Sequence, residues 1–459
     1  MKARVQVHVG FLFLLIMAWG SPAIPCLVLA NGRPEPRSWF AGDPHVHRDC
    51  GGVQGDIVGV TELLNRMKTN DLAVMSVLAD MGNGEVREAS EDLPRINGKD
   101  DPASALGRIV HWDAEWHFDP RGIVFDQKSI GGHLILLGLK RAQRMFSEST
   151  HPILVWAKKQ GAITGFAHMQ YLPMDEVPRC LSCCLPLEYP VEMALGTVDF
   201  LMEDVGGADA AVSAYYRLLN CGFRPGLAAG TDFPCNDQQP LGTLLTYVHI
   251  PDNMPSYRKW IDGLAGGRSV VSRNGHSEFL ELRVNRSALP GDEVKISHGG
   301  EVKIEVRWTG SDPLSGQVEL LRNGVVVVTR EATVRPGVPF IFETTQRFEQ
   351  SGWLAARRMG EGGHRTHTAA IFVTVRNAPV RASSEDAEYF VRFIDHLIKQ
   401  TSEGGFWSRY FPRDREAVLN RYRRARAVYS RIAREAERMR QWPTASPLRS
   451  TEVNAPNGP

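Results

Sequence analysis

The chemistry this chain can do is most visible in Asp43-Pro44-His45-Val46-His47, which follows the apolar run Trp39-Phe40-Ala41. Two histidines one residue apart at the end of a strand point to the same face, because side chains alternate with a period of two. That arrangement suits two neutral imidazoles on one metal ion, with a neighbouring carboxylate to orient or share it. Other groups able to do chemistry close later apolar runs: Asp80, Glu115, His168 and Asp232, while His133 precedes one. Together His45, His47, Glu115, His133, His168 and Asp232 offer four nitrogen and two oxygen ligands, enough for two divalent ions with a carboxylate such as Glu115 between them. A water held by two such cations ionises near neutral pH, since a metal brings its pKa toward ~7. Taken singly, each member has a plainer reading: His168 as a buried hydrogen-bonded imidazole, Asp232 as a helix cap.

The elements that must position these groups alternate in type. From about residue 38 to 278, short apolar runs alternate with helix-like segments, the pattern of an α/β domain. Strands are expected at Trp39–Ala41, Leu72–Leu78, Ile109–Trp112, Leu134–Leu139, Ala162–Ala167, Val198–Met202 and Leu227–Ala229. In a β/α barrel the active site lies at the C-terminal strand ends, so this distribution suits one shared pocket. His133 joins it only if its strand runs against the others or a loop returns it. Residues 279–377 read instead as a β-sandwich-like unit. There Val302, Ile304, Val306 and Trp308 alternate with polar residues, and Asn323-Gly324 between two apolar runs marks a type I′ hairpin. Residues 383–440 read as helical, with Val418, Tyr422, Ala425, Tyr429, Ile432, Ala436 and Met439 forming one apolar seam, and 441–459 as a disordered tail.

The 459 residues carry a formal charge of only +1, so nothing demands nucleic acid or an anionic membrane. The ten arginines between Phe411 and Arg440 read as a solvated helix face, and no nucleic-acid partner is expected. Residues 1–30 have the form of an export signal: Lys2 and Arg4, then the apolar run from Val9 to Trp19, with cleavage expected after Ala30 or Ala23. The run is short for a membrane span, so release to the periplasm or outside the cell is expected, with anchoring as the alternative if the signal is retained. Cleavage after Ala30 leaves Cys50, Cys180, Cys183, Cys184, Cys221 and Cys235, an even set that in an oxidising compartment favours disulfides over a structural zinc.

In order, Gly42-Asp43-Pro44-His45-Val46-His47, Val77-Leu78-Ala79-Asp80, Asp113-Ala114-Glu115-Trp116, Gly132 to Gly138, Gly165-Phe166-Ala167-His168 and Ala229-Gly230-Thr231-Asp232 resemble the motifs of the PHP (polymerase and histidinol phosphatase) superfamily, and within it those of CehA/McbA-type metallohydrolases. The resemblance covers about residues 40 to 235. It implies a distorted (β/α)7 barrel over residues 38–278 with a polynuclear metal site. Carried over by position, His45, His47, Glu115 and Asp232 hold one ion, and Glu115, His133 and His168 hold the second. Three further histidines that hold a third ion in many members are replaced here by about Val53, Met81 and Pro234. His111, His117, Cys50 and Cys235 are the residues that could repopulate that site, ranked below a dinuclear arrangement. Asp80 is expected to orient a ligand histidine. Cys50 and Cys235 are expected at the pocket rim, as a disulfide first and as a thiol near the metals second.

The function so implied is an exported hydrolase with two divalent ions, zinc, manganese or iron, whose bridging hydroxide cleaves an ester-like bond: a carboxyl ester, carbamate or phosphoester in a small molecule or polymer. Catalytic roles fall to Glu115, Asp232 and Asp80. No lasting membrane insertion is expected after signal cleavage. The alternative is a non-catalytic binding protein that retains a diverged barrel as scaffold.

Overall fold

The computed structural model describes residues 32–49, 57–82, 92–117, 131–173, 176–177, 185–204, 208–236 and 240–441. The export-signal reading and the C-terminal tail therefore lie outside the described residues, as do Val53, Cys50 and the cluster Cys180, Cys183 and Cys184. No described helix is long and apolar enough to cross a membrane.

The first part of the chain lays down β1 (Trp39–Val46), β2 (Val74–Asp80), β3 (Ile109–Trp116), β4 (Leu134–Leu137), β5 (Ile163–Phe166), β6 (Phe200–Glu203), β7 (Gly226–Ala229), β8 (Leu245–His249) and β9 (Ser269–Ser272). Between them lie α1 (Val60–Thr69), α2 (His151–Lys158), α3 (Tyr189–Ala194), α4 (Ala208–Asn220) and α5 (Tyr257–Ala265). Each of the seven expected strands is present. The sheet runs β9-β8-β1-β2-β3-β4-β5-β6-β7, parallel at β1-β2-β3 and β5-β6-β7. It is antiparallel on both sides of β4, which is the condition for His133, just ahead of that strand, to reach the other strand ends.

The expected distorted (β/α)7 barrel is not shown: among the described residues no sheet closes. β7 forms a ladder only with β6; the opposite edge curls back beside it, with the Ser269 hydroxyl donating to the Leu227 carbonyl at 2.7 Å, but β9 takes β17 rather than β7 as its ladder partner. The mixed α/β class stands.

Period-two alternation divides each strand between two cores. In β3, Val110, Trp112, Ala114 and Trp116 face the core shared with the outer helices, leaving His111, Asp113 and Glu115 on the other face. That inner face packs on α5, where Trp260, Ile261 and Leu264 meet Val74, Ile135, Ile163, Phe200 and Val248. The apolar plug occupies the strand starts and leaves the strand ends for polar groups.

The second part forms β10 (Glu278–Val284), β11 (Glu293–Ile296), β12 (Gly300–Gly310), β13 (Leu314–Arg322), β14 (Val325–Val334), β15 (Phe340–Phe348), β16 (Gly352–Gly360), β17 (Gly363–Thr368) and β18 (Ile371–Val375). A three-stranded sheet, β10-β12-β15, packs on the strands β11-β18-β16-β17 and β13-β14 around Trp308, Leu320, Leu354 and Val373. The expected hairpin is the β13–β14 turn, where Asn323 (φ 52) and Gly324 (φ 83) both take the positive φ of a type I′ turn. β17 pairs with β9, so this unit shares a continuous sheet with the first. Finally α6 (Ser384–Thr401) and α7 (Arg415–Gln441) pack together against the first unit. Tyr422 donates to Glu188 at 2.8 Å and Tyr429 to the Pro190 carbonyl at 2.8 Å, so the α7 seam is core; Met439 at its end is only partly buried.

Candidate metal centre

β1 carries His45 at its end and His47 just beyond, with ring centroids 5.1 Å apart. Pairing with β2 shifts register between Asp43 and Val46, a bulge that re-aims the strand end. Asp43 secures the neighbouring loop instead of entering the site: its carboxylate accepts from the His45 backbone, from the Thr231 backbone and from the Thr231 hydroxyl. Burial pushes its pKa up to about 7. The His47 amide also donates to the Phe233 carbonyl, so two contacts bind the loop bearing Asp232 to the strand bearing the histidines. Gly230 permits this approach, since a Cβ there would lie 2.7 Å from the Cβ of His45.

Glu115 sits at the centre. Its carboxylate lies 3.6 Å from His45 Nε2, 3.1 Å from His47 Nε2, 2.7 Å from His133 Nδ1 and 4.0 Å from His168 Nε2. Asp232 Oδ1 lies 3.2 Å from His45 Nε2 and 3.5 Å from His47 Nε2. His133 and His168 meet at 3.0 Å between Nδ1 and Nε2. All six candidate ligands are therefore drawn together, and two subsets, His45 with His47 and Asp232, and His45 with Glu115 and His168, have donor atoms mutually within 4.8 Å.

These donors fit divalent cations better than they fit one another. Both ring nitrogens of His45 and Nε2 of His47 are buried without a hydrogen bond, a costly state unless something else satisfies them. Burial opposes charging the rings, but Asp232 and Glu115 outweigh it and hold His45 well above the usual imidazole range. The same contest leaves His47 pushed up to about 9. Glu115 is likewise drawn well below the carboxylate range against its burial, by His133 and His45. His133 goes the other way, down to about 4, through burial and then the charge of His117. His168 and Asp232 both hold left-handed backbone, φ 58 and 53, which costs non-glycine residues about 1–3 kcal/mol each and clusters at functional sites.

Asp204, one residue past β6, is a member of the cluster that the strand-end reading passed over. Its Oδ2 lies 2.5 Å from His168 Nδ1 and accepts from the His168 backbone at 3.1 Å, while Oδ1 lies 3.6 Å from His45 Nδ1. It thus stands behind one histidine of each expected ion, the position of a carboxylate that fixes ring orientation and raises ligand basicity. Reading the strand as Val198–Met202 stopped two residues short of it.

Asp80 and the expected substitutes for a third ion are placed differently from the reading. Asp80 Oδ2 faces His117 Nε2 at 3.1 Å, not one of the four ligand histidines, because its strand end lies beside that of β3. His47 Nδ1 turns to the Leu78 carbonyl at 3.1 Å. His117 stacks on His133 at 4.3 Å between ring centroids. His111 is four residues before Glu115 on β3, stacked on Tyr257 and 3.0 Å from Asp100, so it cannot serve the site. Cys235 is disulfide-bonded and is no thiolate ligand. Cys221 is free and buried, so the partner of Cys235 lies outside the described residues.

No protein-family model matches the chain, and no curated protein sequence matches it. Among solved structures it is similar to a two-domain protein of Bacteroides vulgatus described as containing a predicted PHP-like metal-dependent phosphoesterase. That likeness has a TM-score of 0.40 and 14% identity over 74% of this chain and 96% of that one. It is also similar to the lesion-specific endonuclease Q of Pyrococcus furiosus, with a TM-score of 0.33 and 15% identity over 50% of this chain and 56% of that one. At scores of this size, the chemistry has to be assigned from the donor atoms of the site itself.

Proposed function

We propose that this protein is a metal-dependent hydrolase of the PHP superfamily, of the CehA/McbA type, that holds two divalent cations and cleaves an ester-like bond. The observation that carries the reading is the convergence of four imidazoles on the single carboxylate of Glu115, at 2.7 to 4.0 Å. His45, His47, Glu115 and Asp232 would hold one cation, and Glu115, His133 and His168 the other. Mixed imidazole and carboxylate donors suit zinc, manganese or iron. Bound cations of this kind supply activation of water near neutral pH and neutralisation of charge at the attacked centre.

The chain's own residues do the rest. Glu115 offsets positive charge between the two ligand sets, and Asp204 fixes the ring of His168 while facing Nδ1 of His45 at 3.6 Å. Asp232, with 17% of its side chain exposed against 7% for Glu115, is the acid that reaches the open side and can take a proton from an attacking water. Met81 and Pro234 stand where imidazoles would add a third cation. The weaker positive field favours carboxyl esters, carbamates or phosphodiesters over multiply charged phosphate monoesters. The disulfide at Cys235 supports export, because such bonds persist in oxidising compartments.

The test is a turnover screen of the purified mature protein on nitrophenyl carboxyl esters, carbamates, phosphodiesters and phosphomonoesters. It is run before and after chelation and again after metal is restored. Hydrolysis that follows metal content is expected. Bound metal with no turnover on any class would favour the binding-protein alternative.

A further inference from the structure

Outside the centre lies a second buried polar cluster, built by both halves of the chain. Glu203 ends β6 and is fully buried, and it directly precedes Asp204. Its Oε1 lies 3.0 Å from Nε2 of His364, which sits at the start of β17 in the second unit and is also buried. Arg273, just after β9, lies 3.5 Å from Glu203 Oε2 and donates to the backbone carbonyl of Asp204 at 2.8 Å. β9 and β17 are paired, and the Arg273 amide donates to the Arg365 carbonyl at 2.7 Å, so Arg273 and His364 are delivered side by side by one ladder. A glutamate side chain at full burial is expensive unless its oxygens find partners, and here His364 and Arg273 supply them.

Position along the chain gives that expense a use. The backbone of Asp204 is held on one side by Arg273, while its side chain points to His168 and His45. The residue before it is clamped by His364. A movement of the Glu203 backbone is shared with Asp204, since the two are joined by one peptide unit.

We infer that His364, acting through Glu203 with Arg273 alongside, is a positioning residue of the metal centre, so that the β-sandwich-like unit helps build the site rather than merely adjoining it. This rests on the metal-centre reading above. It assigns the second unit a role that its strand pattern does not reveal: without His364, Glu203 loses its imidazole partner, and the backbone next to it, from which Asp204 reaches the ligand histidines, is held by Arg273 and Gln170.

The experiment is cobalt(II) titration of the full-length, metal-free protein, followed by visible absorption, in wild type, His364→Ala, His364→Gln and Glu203→Gln, with the thermal transition recorded for each. Wild type is expected to take up cobalt with a ligand-field spectrum. His364→Ala should bind about tenfold more weakly, the lower end of the effect of groups that support ligands from outside the first contacts, with an altered spectrum. His364→Gln can still donate to Glu203 and should recover most of the wild-type spectrum. If His364→Ala does not fold, Glu203→Gln, which keeps the shape but removes the charge, decides the matter by the same spectral change. A folded His364→Ala or Glu203→Gln protein with wild-type affinity and spectrum overturns the inference alone. A wild-type protein that takes up no cobalt overturns the metal-centre reading beneath it as well.

Discussion

Asp204 Oδ2 lies 2.5 Å from His168 Nδ1, and the same oxygen accepts the His168 backbone amide. A residue held in left-handed backbone is thereby fixed at both its main chain and its ring, and Nε2 is left to face Glu115 and His133. The histidine is presented to a cation in one tautomer and one orientation before any cation arrives.

Removing that support has a definite expected effect. Asp204→Asn should weaken metal binding by about 10- to 100-fold, as removal of outer carboxylates does elsewhere. Competition against a chelator of known affinity measures it. A folded Asp204→Asn protein with wild-type affinity would take Asp204 out of the account.

Gly230 gives a steric prediction at the opposite wall. An alanine Cβ there would lie 2.7 Å from the Cβ of His45 and 3.1 Å from Met202 Sδ. Gly230→Ala should destabilise the protein by about 1–3 kcal/mol, the usual cost of overpacking a buried site. It should also lower metal content by displacing His45. Denaturant melts and elemental analysis of the same preparation check the two effects together.

The pH dependence follows from the imidazoles. In the metal-free chain His47 is pushed up to about 9 and His45 is also raised, in each case by acids that outweigh burial. A raised imidazole contributes stability that is fully present below its unfolded pKa of about 6.5 and is lost as pH climbs through the folded value. Cations need the neutral rings, so binding must displace those protons and strengthens over the same interval. The increase in Tm on adding metal should therefore grow from pH 6.5 to pH 9, with protons released on binding at pH 7.5. A Tm increase independent of pH would show that these rings are already neutral.

Much of this arrangement is legible in the sequence, for physical reasons that differ from residue to residue. His45, His47, Glu115, His168 and Asp232 stand out as a set, because polar groups recur at the ends of successive apolar runs, although each alone has a structural use. His133 can be placed only once β4 is known to run against its neighbours, and strand direction depends on long-range pairing that no local pattern encodes. Asp204 is hidden by a boundary error of one residue, although the same strand-end rule identifies it once β6 is drawn to Glu203. The expected distorted barrel is not shown, because among the described residues no sheet closes. Closure depends on which strand reaches β7 and β9, and the β9–β17 pairing joins segments about a hundred residues apart. Asp80 faces His117 instead of one of the four expected ligand histidines, a partner set by the neighbouring strand rather than by its own.

The most direct test is the metal content of the purified chain, measured by elemental analysis for wild type and Glu115→Gln side by side. Glu115 is the group that approaches all four histidines, so it alone should serve both ions. The account predicts about two divalent ions per wild-type chain, and a folded Glu115→Gln protein that has lost most of both together with its activity. Wild-type protein that hydrolyses its substrate without bound metal, or a Glu115→Gln protein that keeps its full metal content, would contradict it.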